Sequence, residues 1–375
     1  MAQTTSDRVR EIIAASGRSQ REVAEDIGID GPKLTKSLKG IRQFSSYELA
    51  AIAELGNRTV EWLLTGAEPK RLAFAHRTTL AHSEVLDNPG REYAALVAQR
   101  YGDAREMGFL PSPSALPVPQ GGGGYLVEAD HLASVASELL DSQVRRLGWV
   151  ALIAAIERTF EINVAVEELA EGIDGLSLVD GDTRIIVVAP TDRTGRQRFT
   201  LAHELGHVLF GDGGRAVIEE QLFQSKSMQE SRADAFAASF LMPKVEILEE
   251  LGGRTAAEGF LDLVWAFGVS PNSMCWRLLN LGLIGDEERA RLSGKTLSRV
   301  ATTLGRLDEH RQRIEASLGA RAAARLSDAY IGAYLAGEIG AVPVSEISGL
   351  PLETIERLLH EVEYPDRWPN LDSDQ

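Results

Sequence analysis

Apolar residues recur every three or four positions over residues 7–64, and glycines interrupt this pattern several times. Such spacing puts the apolar side chains of each stretch on one helical face, and it predicts about five short helices. Helical spacing returns over residues 92–100 and 147–160, and it dominates from Phe199 onward. The pattern therefore predicts a mainly helical protein whose N-terminal part is a separate all-helical domain.

A different pattern lies between the helical stretches of the second half of the chain. Apolar runs at residues 175–179 and 184–188 flank the turn sequence Asp180-Gly181-Asp182. An Asp-Gly pair between two apolar runs is typical of a β-hairpin. We therefore expect the α+β fold class, mainly α with a small β-sheet.

A change of composition marks the domain boundaries. Prolines lie at intervals from Pro111 to Pro119, and glycines follow directly up to Gly124, so this stretch is predicted to be a flexible linker. The predicted segments are an N-terminal helical domain (1–70), a helical connector with the linker (71–124), a second domain (125–293) and a helical C-terminal tail domain (294–375).

The composition limits the classes of function. The chain is 44% hydrophobic and 25% charged, as in globular proteins. It has no apolar run of about 18 residues and no secretory signal pattern, so we expect a cytoplasmic protein without a membrane partner. Cys275 is the single cysteine, which excludes an internal disulfide and leaves histidines and carboxylates as metal ligands. The net charge of −16 restricts any contact with nucleic acid to a small basic patch.

The sequence His203-Glu-Leu-Gly-His207 has the H-E-x-x-H spacing. On an α-helix the two histidines are one turn apart on the same face, so both imidazoles can bind one metal ion. The opposite face is apolar and consists of Leu201, Leu205, Val208 and Leu209. Zinc accepts neutral imidazole and, at catalytic sites, usually has three protein ligands and a water molecule.

The third ligand is predicted to be Glu230, on a second helix that ends before Pro243. Glu230 and Asp234 are four residues apart beside apolar positions, where carboxylates are costly unless a cation or hydrogen-bond donors compensate them. A zinc ion can compensate the charge of Glu230. Asp234 is placed to accept a hydrogen bond from the N–H of a ligand histidine that faces away from the metal ion. The alternative for Asp234 is a solvated carboxylate or a helix-pairing residue.

The chemistry follows from this ligand set. Zinc lowers the pKa of bound water towards about 7 and polarises a scissile carbonyl. Glu204 can then take the water proton as general base and deliver it to the leaving amine. The sequence does not identify the group that stabilises the oxyanion, for which Arg232 and Tyr334 are the two candidates.

Three motifs in this order resemble the ImmA/IrrE family of metallopeptidases: Arg198-Phe-Thr-Leu-Ala-His-Glu-Leu-Gly-His, the segment from Glu230 to Pro243, and Phe267-Gly-Val-Ser-Pro-Asn-Ser-Met-Cys-Trp-Arg-Leu-Leu-Asn-Leu-Gly-Leu-Ile. The resemblance covers residues 130–290. It implies a zincin-like (gluzincin) fold, His203, His207 and Glu230 as ligands of one Zn²⁺ ion, and Glu204 as the catalytic residue. It also implies a protein substrate, a transcriptional repressor, as for known members.

Three stretches of the N-terminal domain resemble the Xre/Cro-type helix-turn-helix family: Arg18-Ser-Gln-Arg-Glu-Val-Ala-Glu-Asp-Ile-Gly-Ile, Lys33-Leu-Thr-Lys-Ser-Leu-Lys-Gly and Thr59-Val-Glu-Trp-Leu-Leu-Thr-Gly. The resemblance implies DNA binding, with a homodimer expected on a two-fold operator. Ser19 and Glu22 are predicted to form a capping box, and Asp30 to cap the second helix. The predicted core between the two helices consists of Val23, Ala24, Ile27, Leu34 and Leu38.

Residues 31–43 contain four basic residues and no acidic one. A basic stripe of this kind suits contact with DNA phosphates, although solvated helix positions are the alternative. The stripe consists of Lys33, Lys36, Lys39 and Arg42. The candidates for reaching base edges are Lys33, Thr35, Lys36 and Ser37.

Two functions from different classes remain open on these residues. The first is a DNA-binding regulatory zinc metallopeptidase that cleaves a partner repressor. The second is a transcription factor or antitoxin whose zinc domain is a sensor or scaffold without proteolysis. Both use the same metal ligands, and only the first requires Glu204 to be chemically active. A general degradative peptidase is disfavoured, because it has no use for a DNA-reading domain.

Overall fold

The structure, a computed structural model, describes residues 4–56, 58, 60–66, 74–78, 89–119, 123–140, 142–212 and 228–360. The chain divides into two units, residues 1–71 and residues 72–375. The predicted α+β class is confirmed, since helices predominate and one small sheet lies in the second unit. None of the described helices is long and apolar enough to cross a membrane.

The described part of the first unit contains helices α1 (Thr5–Ser16), α2 (Gln20–Asp26), α3 (Gly31–Leu38), α4 (Ser46–Leu55) and α5 (Val60–Thr65). Helix α2 begins with the predicted capping box, in which the Ser19 side chain accepts from the Glu22 N–H and the Glu22 side chain accepts from the Ser19 N–H. Asp30 caps α3 by accepting from the backbone N–H of Lys33 at 2.8 Å, as predicted. All five predicted core residues are buried in one hydrophobic cluster of this unit.

A partly buried ion pair connects the residues after α3 with α4. The Arg42 guanidinium donates to both carboxylate oxygens of Glu48, at 2.7 and 2.8 Å, and also to the Ser37 hydroxyl at 3.0 Å. Glu48 is only 5% exposed. The hydrogen bonds from Arg42 hold the pKa of the Glu48 carboxyl below its usual value, although burial acts in the opposite direction. The arrangement stabilises the loop between the two helices.

The second unit contains a four-stranded mixed sheet in the order β1-β3-β4-β2. Strands β1 and β3 and strands β3 and β4 pair antiparallel, whereas β2 and β4 pair in parallel. The predicted hairpin is confirmed, because Asp180 pairs with Thr183 across the turn between β3 and β4. The strands are β1 (Phe74–Thr78), β2 (Asn163–Val166), β3 (Ile173–Asp180) and β4 (Thr183–Val188).

Helices cover the second unit's sheet on both faces, which explains why every residue of β2 and β4 is buried. The described helices are α6 (Pro89–Glu106), α7 (Tyr125–Leu139), a short 3-10 helix (Val144–Arg146), α8 (Trp149–Phe160), α9 (Thr194–Phe210), α10 (Met228–Leu241), α11 (Lys244–Leu251), α12 (Phe260–Phe267), α13 (Pro271–Asn280), α14 (Asp286–Ser293), α15 (Leu297–Thr303), α16 (Leu307–Leu318), α17 (Ala324–Leu335), α18 (Ala341–Ser348) and α19 (Leu352–His360).

Alternation along the strands divides the core into two clusters. Leu176 and Leu178 of β3 belong to a cluster with α6 and α17–α19, whereas Ile186 and Val188 of β4 belong to the larger cluster with α7–α10. Neighbouring side chains of a strand point to opposite faces of the sheet. Ser177 therefore points to the same side as α9, against which β3 packs.

Helices α9 and α10 lie very close together at Gly206. A Cβ atom on Gly206 would lie 3.0 Å from the Phe236 ring and 3.4 Å from the Ala233 Cα atom. Glycine at this position lets the two backbones approach, and Phe236 and Ala233 are fully buried there. The approach brings the first two turns of α10 beside the middle of α9.

The predicted separation of residues 71–124, 125–293 and 294–375 into distinct segments is wrong. Side chains of α6, of the sheet and of α17–α19 share one buried cluster. Helix α15 likewise contributes Val300 and Ala301 to the cluster that contains α9. The sheet has two apolar faces, and helices from all three segments are needed to remove both from water.

The prediction of a flexible linker from Pro111 to Gly124 is also wrong over its first part. The Ser114 N–H donates to the Glu161 carboxylate at 2.7 Å, and the Ser114 carbonyl accepts from Arg184 at 2.7 Å. Prolines lack the backbone N–H that helices and β-ladders need. They are compatible with an extended segment whose backbone is held by hydrogen bonds to side chains. Residues 120–122 lie outside the described residues.

Replacing Glu48 by Gln is expected to reduce the free energy of unfolding of the first unit by about 2 kcal/mol, because Arg42 loses its charged partner in a partly buried place. Hydrogen exchange of peptides from residues 5–55 measures this loss in the full chain. Glu25→Gln is the matched control, since Glu25 and its partner Arg21 are 66% and 87% exposed. The control should change stability by less than about 0.5 kcal/mol, and equal losses in both variants would contradict the role of the buried pair.

The stability difference between wild type and Glu48→Gln should depend on pH. The pKa of Glu48 is lower in the folded than in the unfolded state. The contribution of the charged pair is therefore complete above the unfolded carboxyl pKa of about 4.3, and it is lost as the pH falls through the lower folded value. Urea titrations of both proteins at several pH values between about 3 and 7 measure the trend.

Candidate metal centre

Helix α9 presents an apolar side to the core and a histidine-bearing side to α10. Leu201, Leu205, Val208 and Leu209 are all buried in the larger cluster, as the helical spacing predicts. His203 and His207 are each 1% exposed, and Glu204 is fully buried. The helix therefore holds three ionisable side chains out of water within two turns.

Three side chains converge at the contact between α9 and α10. The Nε2 atoms of His203 and His207 are 3.1 Å apart, and each lies 3.3 Å from one carboxylate oxygen of Glu230. A tetrahedral zinc ion with bonds of about 2.0–2.1 Å has ligand atoms roughly 3.3 Å apart. His203 Nε2 is close to Glu230 Oε2 and His207 Nε2 is close to Glu230 Oε1, at separations near this value, so the group could hold a divalent metal ion.

Carboxylates orient both imidazole rings through the nitrogen that faces away from this group. Asp234 Oδ1 lies 2.8 Å from His203 Nδ1, and Asp212 Oδ2 lies 3.1 Å from His207 Nδ1. A carboxylate at Nδ1 fixes the proton there, which leaves the Nε2 lone pair directed towards the other donors. Sequence reasoning considered Asp234 for this role and missed Asp212. The available signal for Asp212 was its position directly after Gly211, where α9 ends.

Arg232 lies behind His207 rather than in front of it. Its guanidinium forms an ion pair with Asp212 and stacks over the Phe210 ring at 4.2 Å. Because Asp212 is bonded to Nδ1 of His207, Arg232 is on the ring side opposite the donor Nε2. Tyr334, the other candidate for an oxyanion donor, packs against the cluster of α6 and α17. Neither contact supports an oxyanion role.

Glu204 is fully buried between α9 and the sheet. The Ser177 hydroxyl donates to its Oε2 at 2.8 Å, whereas its Oε1 has no hydrogen-bond partner among the described residues. A Cβ atom on Gly175 would lie 3.2 Å from the Glu204 Cγ atom, so glycine leaves room for this side chain. Sequence reasoning missed Ser177, because its contact depends on how β3 packs against α9.

The electrostatics of the group reflect burial and mutual contact. Burial raises the pKa of Glu204, although both histidines and the Ser177 hydroxyl act in the opposite direction. Burial alone would lower the pKa of His207, but hydrogen bonds to Asp212 and Glu230 outweigh it and raise the pKa to about 10. Burial disfavours the Glu230 carboxylate, yet its bonds to the histidines hold the pKa below its usual value. A metal ion would replace the proton that these groups share.

The basic stripe of the first unit is only partly exposed as predicted. Lys33, Thr35, Lys36 and Lys39 are exposed on or directly after α3. The prediction for Ser37 is wrong, because its side chain is 1% exposed and its hydroxyl accepts from Arg42. Arg42 is also corrected, since its guanidinium is engaged by the buried Glu48 and is not available for phosphate.

Comparison with known proteins agrees with this geometry. Residues 158–279 match the family described as IrrE N-terminal-like domain (Peptidase_M78). The matched stretch contains both histidines, Glu204 and Glu230. Residues 158–279 therefore form a domain that is similar to the IrrE N-terminal-like domain, and we call it the IrrE-like domain.

The IrrE-like domain also resembles a curated protein, the radiation response metalloprotease IrrE of Deinococcus radiodurans. The two are 35% identical over 88 residues, which cover 21% of this chain and 27% of the relative. The chain thus spans about a quarter of the length of the relative that it matches. The crystal structure of ComR from Streptococcus suis aligns over 96% of both chains, but with 11% identity and a TM-score of 0.16, which supports no inference.

Removing either carboxylate behind the histidines should weaken metal binding by the IrrE-like domain. Asp212→Asn and Asp234→Asn are each expected to lower zinc affinity about 10- to 100-fold, because the ring orientation and the charge behind the ligand are lost. Competition against a chelating dye at neutral pH measures the affinity. Asp192→Asn is the matched control, since Asp192 is exposed and outside the group. Equal zinc affinities of the two variants and the control would contradict the role of the two carboxylates in positioning the histidines.

Proposed function

We propose that this chain is a zinc-dependent regulatory metallopeptidase that cleaves a partner transcriptional repressor or similar regulator and binds DNA through its first unit. One observation carries the peptidase part: the donor atoms of His203, His207 and Glu230 converge beside the buried carboxylate of Glu204. Two imidazoles and one carboxylate, with the fourth position open, form a common ligand set of catalytic zinc. The proposed metal content is one Zn²⁺ per chain.

The chemistry of peptide hydrolysis suits these residues. A zinc ion, when bound, supplies Lewis acidity to the attacking water and to the scissile carbonyl. Glu204 accepts the proton of the water through the oxygen that Ser177 does not engage, and it then gives this proton to the leaving nitrogen. Burial raises the pKa of Glu204 and thereby brings the carboxylate closer to the strength that proton transfer at neutral pH requires.

The DNA-binding part rests on the exposed residues of α3. Lys33, Lys36 and Lys39 are exposed together with Thr35, and three positive charges in such proximity suit contact with phosphates. Residues 1–70 contain ten basic and ten acidic residues, so the attraction is local to this face. We expect the first unit to recruit the chain to an operator as a homodimer, close to the regulator that it cleaves.

Glu204→Gln should retain one zinc ion per chain and abolish proteolysis, because the amide is nearly isosteric but cannot accept a proton at neutral pH. The measurement compares new protein N-termini in native host cells that express wild type or the variant, and zinc is determined by elemental analysis. Wild type should produce one or two discrete fragments of a regulator that the variant leaves intact.

Glu168→Gln, a change at an exposed glutamate of the same domain, is the control and should behave as wild type. If Glu204→Gln still generates the fragments, the peptidase proposal fails. A variant that binds zinc, generates no fragments and still changes transcription as wild type does would favour a sensor or scaffold.

Lys36→Ala and Lys39→Ala should each weaken binding to the promoter region of the chain's own gene. Each should also reduce the slope of the logarithm of affinity against the logarithm of salt concentration by about one, because one phosphate contact is lost. Gel-shift titrations over a salt series measure both quantities. Lys244→Ala removes the same charge from the second unit and is the control. Absence of salt-dependent binding by wild type would contradict the DNA proposal and leave the peptidase proposal standing.

A further inference from the structure

A cavity of about 200 Å³ lies at the N-terminal end of α9. Its walls are the first turns of this helix, the loop before α8, the end of α12 and one side of α16. None of its lining residues belongs to the metal centre. Thr194, at the start of α9, is nine residues from His203, which corresponds to roughly 13 Å along the helix axis.

The cavity is lined by four arginines, and no carboxylate lines it within the described part of the chain. Arg145 is neutralised by ion pairs with Glu246 and Glu250. The other three have no salt bridge to any described residue; they are Arg146, Arg198 and Arg313. The lining residues therefore carry an excess of positive charge, although Glu246 interacts electrostatically with Arg146 and Glu309 with Arg313.

Arg198 is the most deeply buried of these arginines, at 7% exposure. Its Nη1 and Nη2 atoms donate to the carbonyls of Leu147 and Val144, at 2.7 and 3.1 Å, and its Nε has no partner among the described residues. Burial lowers the pKa of Arg198 to about 10, and the charge of Arg313 contributes in the same direction. A buried guanidinium beside a second one is costly when, as among the described residues here, neither forms an ion pair with a carboxylate, unless an anion compensates the charge.

The start of α9 adds a further attraction for negative charge. No side chain caps the helix at Arg193, and within the described residues the backbone N–H groups of Thr194 and Gly195 have no acceptor. The helix is 17 residues long, so its N-terminus carries the full partial positive charge of a helix dipole. Uncapped N–H groups at such an end are a common binding site for phosphate groups.

We propose that this cavity binds a small phosphate-type oxyanion, held by Arg146, Arg198, Arg313 and the first N–H groups of α9. Three guanidinium groups and a helix N-terminus match a doubly charged group with several acceptor oxygens. The volume is below the roughly 300–1,000 Å³ of pockets for drug-sized ligands, so the ligand is inorganic phosphate or a short phosphate ester rather than a nucleotide. The site is independent of the proposed peptidase activity.

The test is calorimetric titration of the zinc-loaded full chain with inorganic phosphate and, separately, with glycerol 3-phosphate, at constant ionic strength set by chloride. We expect saturable binding of at least one of them. Tighter binding of the ester would indicate a phosphorylated metabolite, and tighter binding of inorganic phosphate would indicate the free ion. The proposal would be overturned if the heats measured with both ligands were equal to those of a reference titration with chloride.

Arg146→Gln should weaken binding about tenfold, because one charge-assisted hydrogen bond is lost. This residue is chosen because it makes no ion pair within the described residues, whereas Arg198 also holds the backbone of residues 144–147. Arg158→Gln removes an exposed charge outside the cavity and should bind as wild type. His203→Ala removes a proposed metal ligand and leaves the cavity intact, so it should keep the phosphate affinity. Phosphate bound at the metal ion would instead lose affinity in this variant. Wild-type affinity in Arg146→Gln, or loss of affinity in His203→Ala, would overturn the assignment.

Discussion

The close approach of α10 to α9 is the constraint on which the metal centre depends. It is favoured by Gly206 in the middle of α9, because a Cβ atom there would make unusually tight contacts with Ala233 and Phe236. With this contact fixed, the helical repeat places Glu230 one turn before Asp234. One carboxylate then faces the donor nitrogens of the histidines, and the other lies behind His203.

The same constraint forces several charged groups into a small buried volume. The cost of burying them is reduced by pairing, since Asp212 contacts both His207 and Arg232, and Glu230 contacts both histidines. Removal of one member leaves another without a partner, which is more costly than the net value of the pair. We therefore regard the outer residues as part of one connected network with the metal-binding group.

Local sequence patterns were sufficient for features that are formed within one element. The capping box of α2, the hairpin and the spacing of His203 and His207 are of this kind, and the apolar side of α9 was also predicted from helical periodicity. Features that join distant segments were missed, because sequence alone does not give packing. Ser177 reaches Glu204 across the contact of β3 with α9. Ser37 and Arg42 were wrongly predicted to contact DNA, because the spacing of residues along a helix does not reveal that Arg42 binds the buried Glu48 and also donates to Ser37.

The alternation of side chains along β3 has a consequence for how this domain can vary. Ser177 contacts Glu204, whereas its neighbours Leu176 and Leu178 face the opposite cluster. A shift of the strand by one residue would place a leucine methyl group against the buried carboxylate and move a hydroxyl into an apolar layer. Insertions at the turn after Asp180 leave this phase intact, whereas a single insertion between Ser177 and Asp180 shifts Ser177 against β4 and reverses it. Length variation among related domains should therefore be tolerated beyond Asp180 and excluded between Ser177 and Asp180.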